Sequence, residues 1–159
     1  MLENCRNAKE RWGGVNKLID RWLQARQELL VRYCDLTGEK DLSETEALKK
    51  KFVGLCEVLV DYVSAGHFEV YEQLIQEARE FNDGGLELAA KLYPRIEETT
   101  EVALSFNDRL DGRHLSEADI RGLFDELSQL GETLENRFEM EDFLIEHLHR
   151  AHEGKVASA

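Results

Sequence analysis

The stretch DIRGLFDELSQLGETLENRF, residues 119–138, repeats apolar side chains at intervals of three and four residues. This spacing places them on one stripe of an α-helix whose remaining surface is polar. Ser116 and Asp119 precede the stripe with the spacing of an N-terminal cap, so the helix is expected to open there and to reach about residue 152. The stripe comprises Ile120, Leu123, Phe124, Leu127, Leu130, Leu134, Phe138, Ile145 and Leu148.

The N-terminal half predicts two further helices with one apolar stripe each. The first carries its stripe from Val15 to Tyr33, and Gly38 is a reasonable stop. The second is expected to start near residue 44, because Ser43 and Glu46 have the Ser-x-x-Glu spacing of a capping box. Gly66 is expected to end this helix, since glycine readily adopts the left-handed backbone that commonly closes one.

Two helices are predicted in the middle of the chain. A short one runs from about residue 67 to 81, where NDGG supplies turn residues, and a longer one runs from Leu86 to Leu110. Pro94 is expected either to kink the longer helix or to be the first residue of a new one. The segment DGRH, residues 111–114, is expected to be a loop. The prediction is therefore an all-α, antiparallel four-helix bundle with an extra short helix, in which residues 1–159 form a single domain with mobile termini.

The charge of the chain bears on its partners. It has 33 acidic and 20 basic side chains, which give a formal net charge of −13. Such a surface repels phosphate, so direct binding to nucleic acid or to an anionic membrane is not expected. A basic protein partner is favoured instead. The alternative is that the negative charge serves solubility alone.

Targeting signals and cysteine usage point to a cytoplasmic protein. The start MLENCRNAKERW lacks the apolar core of a signal peptide, and no apolar run approaches the roughly 20 residues that cross a bilayer. Cys5, Cys34 and Cys56 are odd in number and have no Cys-x-x-Cys spacing, so reduced thiols are expected. Cys34 and Cys56 occupy or flank apolar stripes, where a thiol acts as a small core hydrophobe.

Sequence motifs for catalysis are weak. A di-metal oxidase built on a helical bundle needs Glu-x-x-His on two helices, and this chain has one such spacing, Glu146 to His149. His147, His149 and His152 cluster near the C-terminus, where they would either bind zinc or nickel adventitiously or occupy a frayed helix end. The sequence has no nucleophile elbow and no phosphate-binding glycine loop. The prediction is a protein without cofactor or enzymatic activity, and a metal-binding helical-bundle enzyme is the alternative.

One polar group remains, in LVDYVSAGHFEVYEQL at residues 59–74. Asp61 and Ser64 are one helical turn apart, and Phe68 closely follows the glycine that is expected to end the helix. An acidic group, a hydroxyl and a large aromatic side chain around a helix end have the makeup of a protein-interaction hot spot. On the first helix, Asp20 and Arg21 belong either to this surface or to a solvated flank, and Trp22 belongs either to this surface or to the core.

The same residues carry a resemblance to a known family. The blocks LIDRWLQARQELLVRY (18–33), LVDYVSAGHFEVYEQL (59–74) and ETLENRFEMEDFLIE (132–146) resemble, in this order, the signature blocks of the Rsd/AlgQ family of bacterial anti-sigma factors. The overall impression is closer to the AlgQ branch, which regulates alginate synthesis, than to Rsd. The second block is the most specific, because helix formation alone would not select its combination of residues.

The resemblance implies a function and a set of contact residues. Members of this family bind region 4 of the housekeeping sigma factor, a basic helix-turn-helix module, and block its contacts with promoter DNA and core RNA polymerase. The implied partner-contacting positions are Asp61, Ser64 and Phe68, with Asp20, Arg21 and Trp22 as supporting contacts on the neighbouring helix. An adaptor that binds other regulatory proteins, such as a phosphocarrier or a stringent-response protein, is a further alternative that the sequence does not separate from sigma binding.

Overall fold

The computed structural model describes residues 8–39, 41–110 and 115–154. Within these ranges the chain is almost wholly helical and has no strand, so the predicted all-α bundle is confirmed. The predicted loop at 111–114 and the outermost residues of both predicted mobile termini lie outside the described residues. The helices are α1 (Ala8–Thr37), α2 (Thr45–Ala65), α3 (Tyr71–Phe81), α4 (Gly85–Asp108) and α5 (Glu117–Leu148), with a π-helix (Gly66–Val70) between α2 and α3 and a 3-10 turn (Arg150–His152) after α5.

Contacts between distant residues give the direction of neighbouring helices. The indole of Trp12, near the start of α1, donates to the carbonyl of His149 at the end of α5 at 2.9 Å. The hydroxyl of Tyr33, near the end of α1, donates to the carbonyl of Leu127 in the first half of α5 at 2.9 Å. The same reversal relates α1 to α2 and α4 to α5. With α2, the π-helix and α3 counted as one rod, the molecule is an antiparallel four-helix bundle.

Apolar side chains from all four rods fill the centre of the bundle. Leu29, Phe52, Leu59, Ile96 and Ile120 are completely buried. Each side chain of this size stabilises the folded state by about 1.5–3 kcal/mol through removal of its surface from water. In the described part of the chain, no helix combines bilayer-spanning length with sustained hydropathy.

The two predicted capping boxes have different outcomes. At the start of α5, Ser116 Oγ accepts from the Asp119 backbone N–H at 3.2 Å, and the Ser116 N–H donates to Asp119 Oδ2 at 2.9 Å, which confirms the box. At the start of α2 the predicted box is wrong, although the helix begins where expected. The hydroxyl of Ser43 instead donates to Asp41 Oδ1 at 2.6 Å, and Glu44 takes the N-cap position without a side-chain cap.

The α-helical stretch of α2 ends at Ala65, next to Gly66 as predicted, but the left-handed backbone predicted for Gly66 is wrong. Its backbone is right-handed helical, with φ −56° and ψ −54°, and the helix continues through the π-helix into α3. A Cβ atom at this position would lie 3.1 Å from Cζ2 of Trp22 and 3.3 Å from Cζ of Tyr71. Glycine is needed here because two aromatic rings pack directly against the backbone, and a left-handed conformation plays no part.

Of the other predicted helix boundaries in the middle of the chain, the turn after α3 is confirmed and a helix start at Pro94 is not. Asn82 adopts the left-handed backbone, with φ 46° and ψ 49°, and ends α3 where the NDGG turn was predicted. Gly84 also has a positive φ of 96° before α4 begins. Pro94 lies inside the uninterrupted helix α4, so the alternative in which it starts a new helix is wrong.

Candidate protein-interaction surface

The π-helix presents an aromatic side chain to solvent. A π-helix has more residues per turn than an α-helix, so its side chains leave the stripe that α2 establishes. Gly66 and Val70 at its two ends are buried, whereas Phe68 between them is 77% exposed. A phenylalanine this exposed next to a groove is a candidate contact for a partner protein.

Phe68 borders a groove between α1 and the rod formed by α2, the π-helix and α3. We call this the Phe68 groove; it is lined by Leu18, Arg21, Trp22, Ala65, Phe68, Glu69 and Glu72, among others. Its walls combine apolar carbon with one guanidinium and two carboxylates. Three of the six predicted contact residues, Arg21, Trp22 and Phe68, are therefore brought together.

The other three predicted residues lie outside this groove. Asp61 is exposed on α2 and borders a separate groove between α2 and α4, beside Asn107 and Leu110. Ser64 is half-buried one turn further along α2, and Asp20 is exposed on α1. A partner that contacted all six residues would therefore have to cover the α2 ridge as well as the groove.

Trp22 belongs to the core and also reaches the groove. It is only 3% exposed, and its indole N–H donates to the carbonyl of Tyr62 at 3.1 Å. Its ring stacks on the Tyr62 ring with centroids 4.8 Å apart and meets Tyr71 edge-on at 5.8 Å. The core alternative for Trp22 is therefore confirmed, and the wall of the groove that it forms is firmly held.

A buried polar network lies beneath this wall. Glu141 of α5 accepts from the Tyr62 hydroxyl at 2.6 Å, from the Tyr71 hydroxyl, and from Arg137 Nε at 3.2 Å. Both Glu141 and Arg137 are almost completely buried. Arg137 also donates to the hydroxyls of Thr99 at 3.1 Å and Thr100 at 2.7 Å. The network thus joins α2, α3, α4 and α5 by directional bonds.

Arg26 extends the network to α1. Its Nε donates to the Tyr62 hydroxyl at 3.0 Å, and its Nη1 donates to Asp142 Oδ1 at 2.5 Å. Burial raises the pKa of Glu141, while the charge of Arg137 and the hydrogen bonds from both tyrosines oppose that rise. Burial also raises the pKa of Tyr62 and of Tyr71, so both hydroxyls stay protonated and act as donors.

His67 connects the π-helix to α4. Its Nδ1 lies 3.2 Å from the Tyr93 hydroxyl, and its Nε2 lies 3.0 Å from Thr100 Oγ1. Burial and the nearby charge of Arg137 lower the pKa of His67. The residue immediately before Phe68 is therefore held as a neutral imidazole between two hydroxyls.

Two of the C-terminal histidines, His149 and His152, are packed into the bundle. The expectation that they occupy a frayed helix end is therefore wrong. His149 is fully buried, its Nδ1 lies 2.9 Å from Glu77 Oε2, and its ring stacks on Trp12 at 4.3 Å. His152 is also buried, with Nε2 2.7 Å from Asp83 Oδ2. Within residues 8–39, 41–110 and 115–154, no group of three or more His, Cys, Asp and Glu side chains is arranged to hold a metal ion.

The cysteines also differ from expectation. Cys56 is buried, and burial raises the pKa of its thiol to about 12, as expected of a core position. Cys34 is an exposed free thiol, so its expected role as a core hydrophobe is wrong. Cys5 lies outside the described residues.

Comparison with known proteins decides the family. Residues 1–149 match the family model described as regulator of RNA polymerase sigma(70) subunit, Rsd/AlgQ. The chain belongs to the Rsd/AlgQ family. The family membership predicted from the three sequence blocks is therefore confirmed. This family consists of sigma-factor regulators.

Named relatives agree with this membership. The chain is 37% identical over 148 residues to the regulator of sigma D of Yersinia pseudotuberculosis serotype O:1b (strain IP 31758), covering 92% of this chain and 88% of the relative. It is 40% identical over 147 residues to the regulator of sigma D of Enterobacter sp. (strain 638), covering 91% and 88%. Closer similarity to the AlgQ branch stays a prediction.

Sequence reasoning missed the buried network. Arg137 and Glu141 lie on the buried side of α5, between Leu134 and Leu144. Charged residues at apolar stripe positions are a readable signal, because a buried charge needs a partner. Their partners Tyr62 and Tyr71 come from other helices, however, and the sequence pattern alone does not reveal such contacts.

Proposed function

We propose that this member of the Rsd/AlgQ family is an anti-sigma factor that binds region 4 of the housekeeping sigma factor. Binding occupies the surface with which region 4 contacts promoter DNA and core RNA polymerase, and so inhibits transcription from its promoters. The proposed contact surface is the Phe68 groove with the adjoining ridge of Asp61 and Ser64. Asp20 is a peripheral contact in this proposal.

The exposure of Phe68 is the observation that carries the proposal. Burying a phenylalanine side chain is worth about 1.5–3 kcal/mol, so an exposed one leaves that free energy available for binding. Trp22, immobilised by its contacts with Tyr62 and Tyr71, provides a rigid wall beside it. Rigid aromatic anchors lower the entropic cost of association, which suits a hot spot.

Charge supports the choice of a basic partner. The groove carries Glu69 and Glu72, and the ridge carries the exposed Asp61. The chain as a whole has a formal net charge of −13. Opposite charges on the two proteins raise the association rate, and this effect falls as salt is added.

Titration calorimetry with an isolated sigma region 4 fragment tests the proposal. Phe68→Ala should weaken binding by about 1–4 kcal/mol, the range typical of a truncated hot spot, with helicity unchanged. Phe143→Ala is the matched control, because Phe143 is 46% exposed on α5 and outside the Phe68 groove. Equal affinity of the Phe68 variant and wild type, or failure of the wild-type chain to bind the fragment at low salt, would refute the proposal.

A competition experiment tests the occlusion step. Saturating protein should prevent region 4 within the full-length sigma factor from binding core RNA polymerase, and Phe68→Ala should need a correspondingly higher concentration. If a ternary complex forms with undiminished promoter binding, the protein binds sigma without occluding it.

A further inference from the structure

A second groove runs between α1 and α5. We call it the α1–α5 groove; its floor is formed by Leu30, Tyr33, Leu134 and Phe138, and its α5 rim carries Glu135 and Glu139. Tyr33 packs into it because position 131 is glycine, where a Cβ would collide with the tyrosine ring. The lining thus combines an apolar floor with an acidic edge.

The groove lies on a different side of α1 from the Phe68 groove. Arg21 borders the Phe68 groove and Leu30 borders the α1–α5 groove. Nine residues at about 100° each separate the two side chains by about 180° around the helix. A partner in one groove therefore leaves the other uncovered.

The size of the groove suits a short helix. Its lining on α5 extends from Gly131 to Asp142. Eleven steps at the helical rise of 1.5 Å give about 17 Å, which is the length of about three helical turns. An apolar groove between two helices is the surface on which the apolar stripe of a third helix commonly packs.

The charges of the rim select the kind of helix. Asp142 is neutralised by Arg26, which donates to it at 2.5 Å. For Glu135 and Glu139 no ion pair exists among the described residues, and both side chains are exposed. The lining includes no lysine or arginine within the part of the chain that the structure describes. The unneutralised charge beside the apolar floor is therefore negative.

We propose that the α1–α5 groove binds a basic amphipathic helix of a partner protein, with the apolar stripe of that helix on Leu30, Tyr33 and Phe138 and its cationic flank along Glu135 and Glu139. This second surface is independent of the proposed sigma-binding surface. It would allow the protein to hold another partner while the Phe68 groove is occupied.

A synthetic helix serves as the probe. It is an end-capped peptide of about 14 residues, about 21 Å long as a helix, with leucines on one face and lysines on the other. The comparison peptide has glutamates in place of the lysines. Binding is measured by fluorescence anisotropy, and occupancy of the groove is read from Cys34, the exposed free thiol in its lining, by the rate of alkylation in mass spectrometry.

The lysine peptide should bind and should slow alkylation of Cys34, whereas the glutamate peptide should do neither. The double variant Glu135→Gln/Glu139→Gln should lower the affinity of the protein for the lysine peptide by about threefold to tenfold, because two solvent-exposed charge contacts are lost. The matched control Glu97→Gln/Glu101→Gln removes the same charge from exposed α4 positions with the same spacing and should change affinity by less than about twofold.

Three results would overturn the inference. Equal weakening by both double variants would show attraction to the overall negative charge instead of to the groove. Undiminished alkylation of Cys34 at saturating lysine peptide would place the peptide elsewhere. Protection of Cys34 by the sigma region 4 fragment would assign the groove to sigma itself. The affinity of Glu135→Gln/Glu139→Gln for the sigma region 4 fragment is measured in parallel and should equal that of wild type. This measurement distinguishes a failure of the α1–α5 groove proposal from a failure of the proposed sigma binding.

Discussion

Replacement of Glu141 by glutamine tests the buried network directly. The substitution keeps the shape of the side chain but removes its charge and turns one acceptor oxygen into a donor. Both oxygens of Glu141 accept in the native structure, Oε1 from Tyr62 at 2.6 Å and Oε2 from Arg137 at 3.2 Å and from Tyr71. If the amide NH2 takes the Oε2 position, it faces the N–H donor of Arg137; if it takes the Oε1 position, the Tyr62 hydroxyl must turn to accept and loses its own acceptor.

The larger cost falls on Arg137. Its side chain is completely buried, and in Glu141→Gln it loses its carboxylate partner. Breaking a buried ion pair by removing one member costs about 3–5 kcal/mol. Arg137 keeps its bonds to the hydroxyls of Thr99 and Thr100, so the expected loss lies at the lower end, about 3 kcal/mol.

Urea unfolding followed by circular dichroism measures the loss. With m of about 1–3 kcal/mol/M, a loss of about 3 kcal/mol lowers the urea midpoint by about 1–3 M at unchanged m. Glu139→Gln, which removes an exposed carboxylate from the same helix, should stay within about 0.5 kcal/mol of wild type. A change below about 1 kcal/mol in Glu141→Gln would show that the network contributes little, and the reasoning from burial would be wrong.

Three further changes test separate features. Gly66→Ala should lower the free energy of unfolding by about 1–3 kcal/mol, as measured by thermal melting. The new methyl group would crowd the fixed rings of Trp22 and Tyr71, and the cost of this overpacking exceeds the gain of about 1 kcal/mol in helix propensity. A variant more stable than wild type would contradict this. The pKa of His67 is lowered from 6.5 in the folded state, so the unfolded chain binds a proton at His67 more readily than the folded protein does. The stabilisation that comes from neutral His67 is therefore fully present above pH 6.5 and is lost as the pH falls below that value. An imidazole titration of His67 by NMR at or above 6.5, or His67→Gln with the same pH dependence of the urea midpoint as wild type, would contradict the sign. Ser116→Ala should lower the free energy of unfolding in urea by about 0.5–2 kcal/mol through loss of the helix cap. The control Ser128→Ala, at an exposed position in the middle of the same helix, should leave it nearly unchanged.

Local signals in the sequence were sufficient for most helix boundaries. The box at Ser116 and the left-handed turn at Asn82 depend on residues within four positions of one another, so a sequence pattern contains everything that decides them. Ser43 shows the limit of such a pattern. Its hydroxyl is within reach of both Asp41 and the helix start, and the sequence does not say which hydrogen bond prevails.

Gly66 could not be interpreted from sequence for a different reason. Glycine permits either a positive φ or a close approach of neighbouring atoms, and both uses look alike in a sequence. The close approach is the one that occurs, and it depends on Trp22 from another helix. Of the candidate site, Phe68 and Arg21 could be predicted to lie near one another once two antiparallel helices were assumed, whereas the exposure of Phe68 depends on the π-helix.

The position of the buried network explains how an exposed surface on a bundle can be rigid. An apolar core admits alternative packings of similar energy, whereas a satisfied polar network fixes both distance and direction. Tyr62 and Tyr71 hold Trp22 on one side and donate to Glu141 on the other, so the wall of the Phe68 groove is tied to the fully buried centre of the bundle. A surface fixed before its partner arrives loses little conformational entropy on binding. Glu141→Gln, where it remains folded, should therefore weaken region 4 binding although it touches no proposed contact residue, and Glu139→Gln should not.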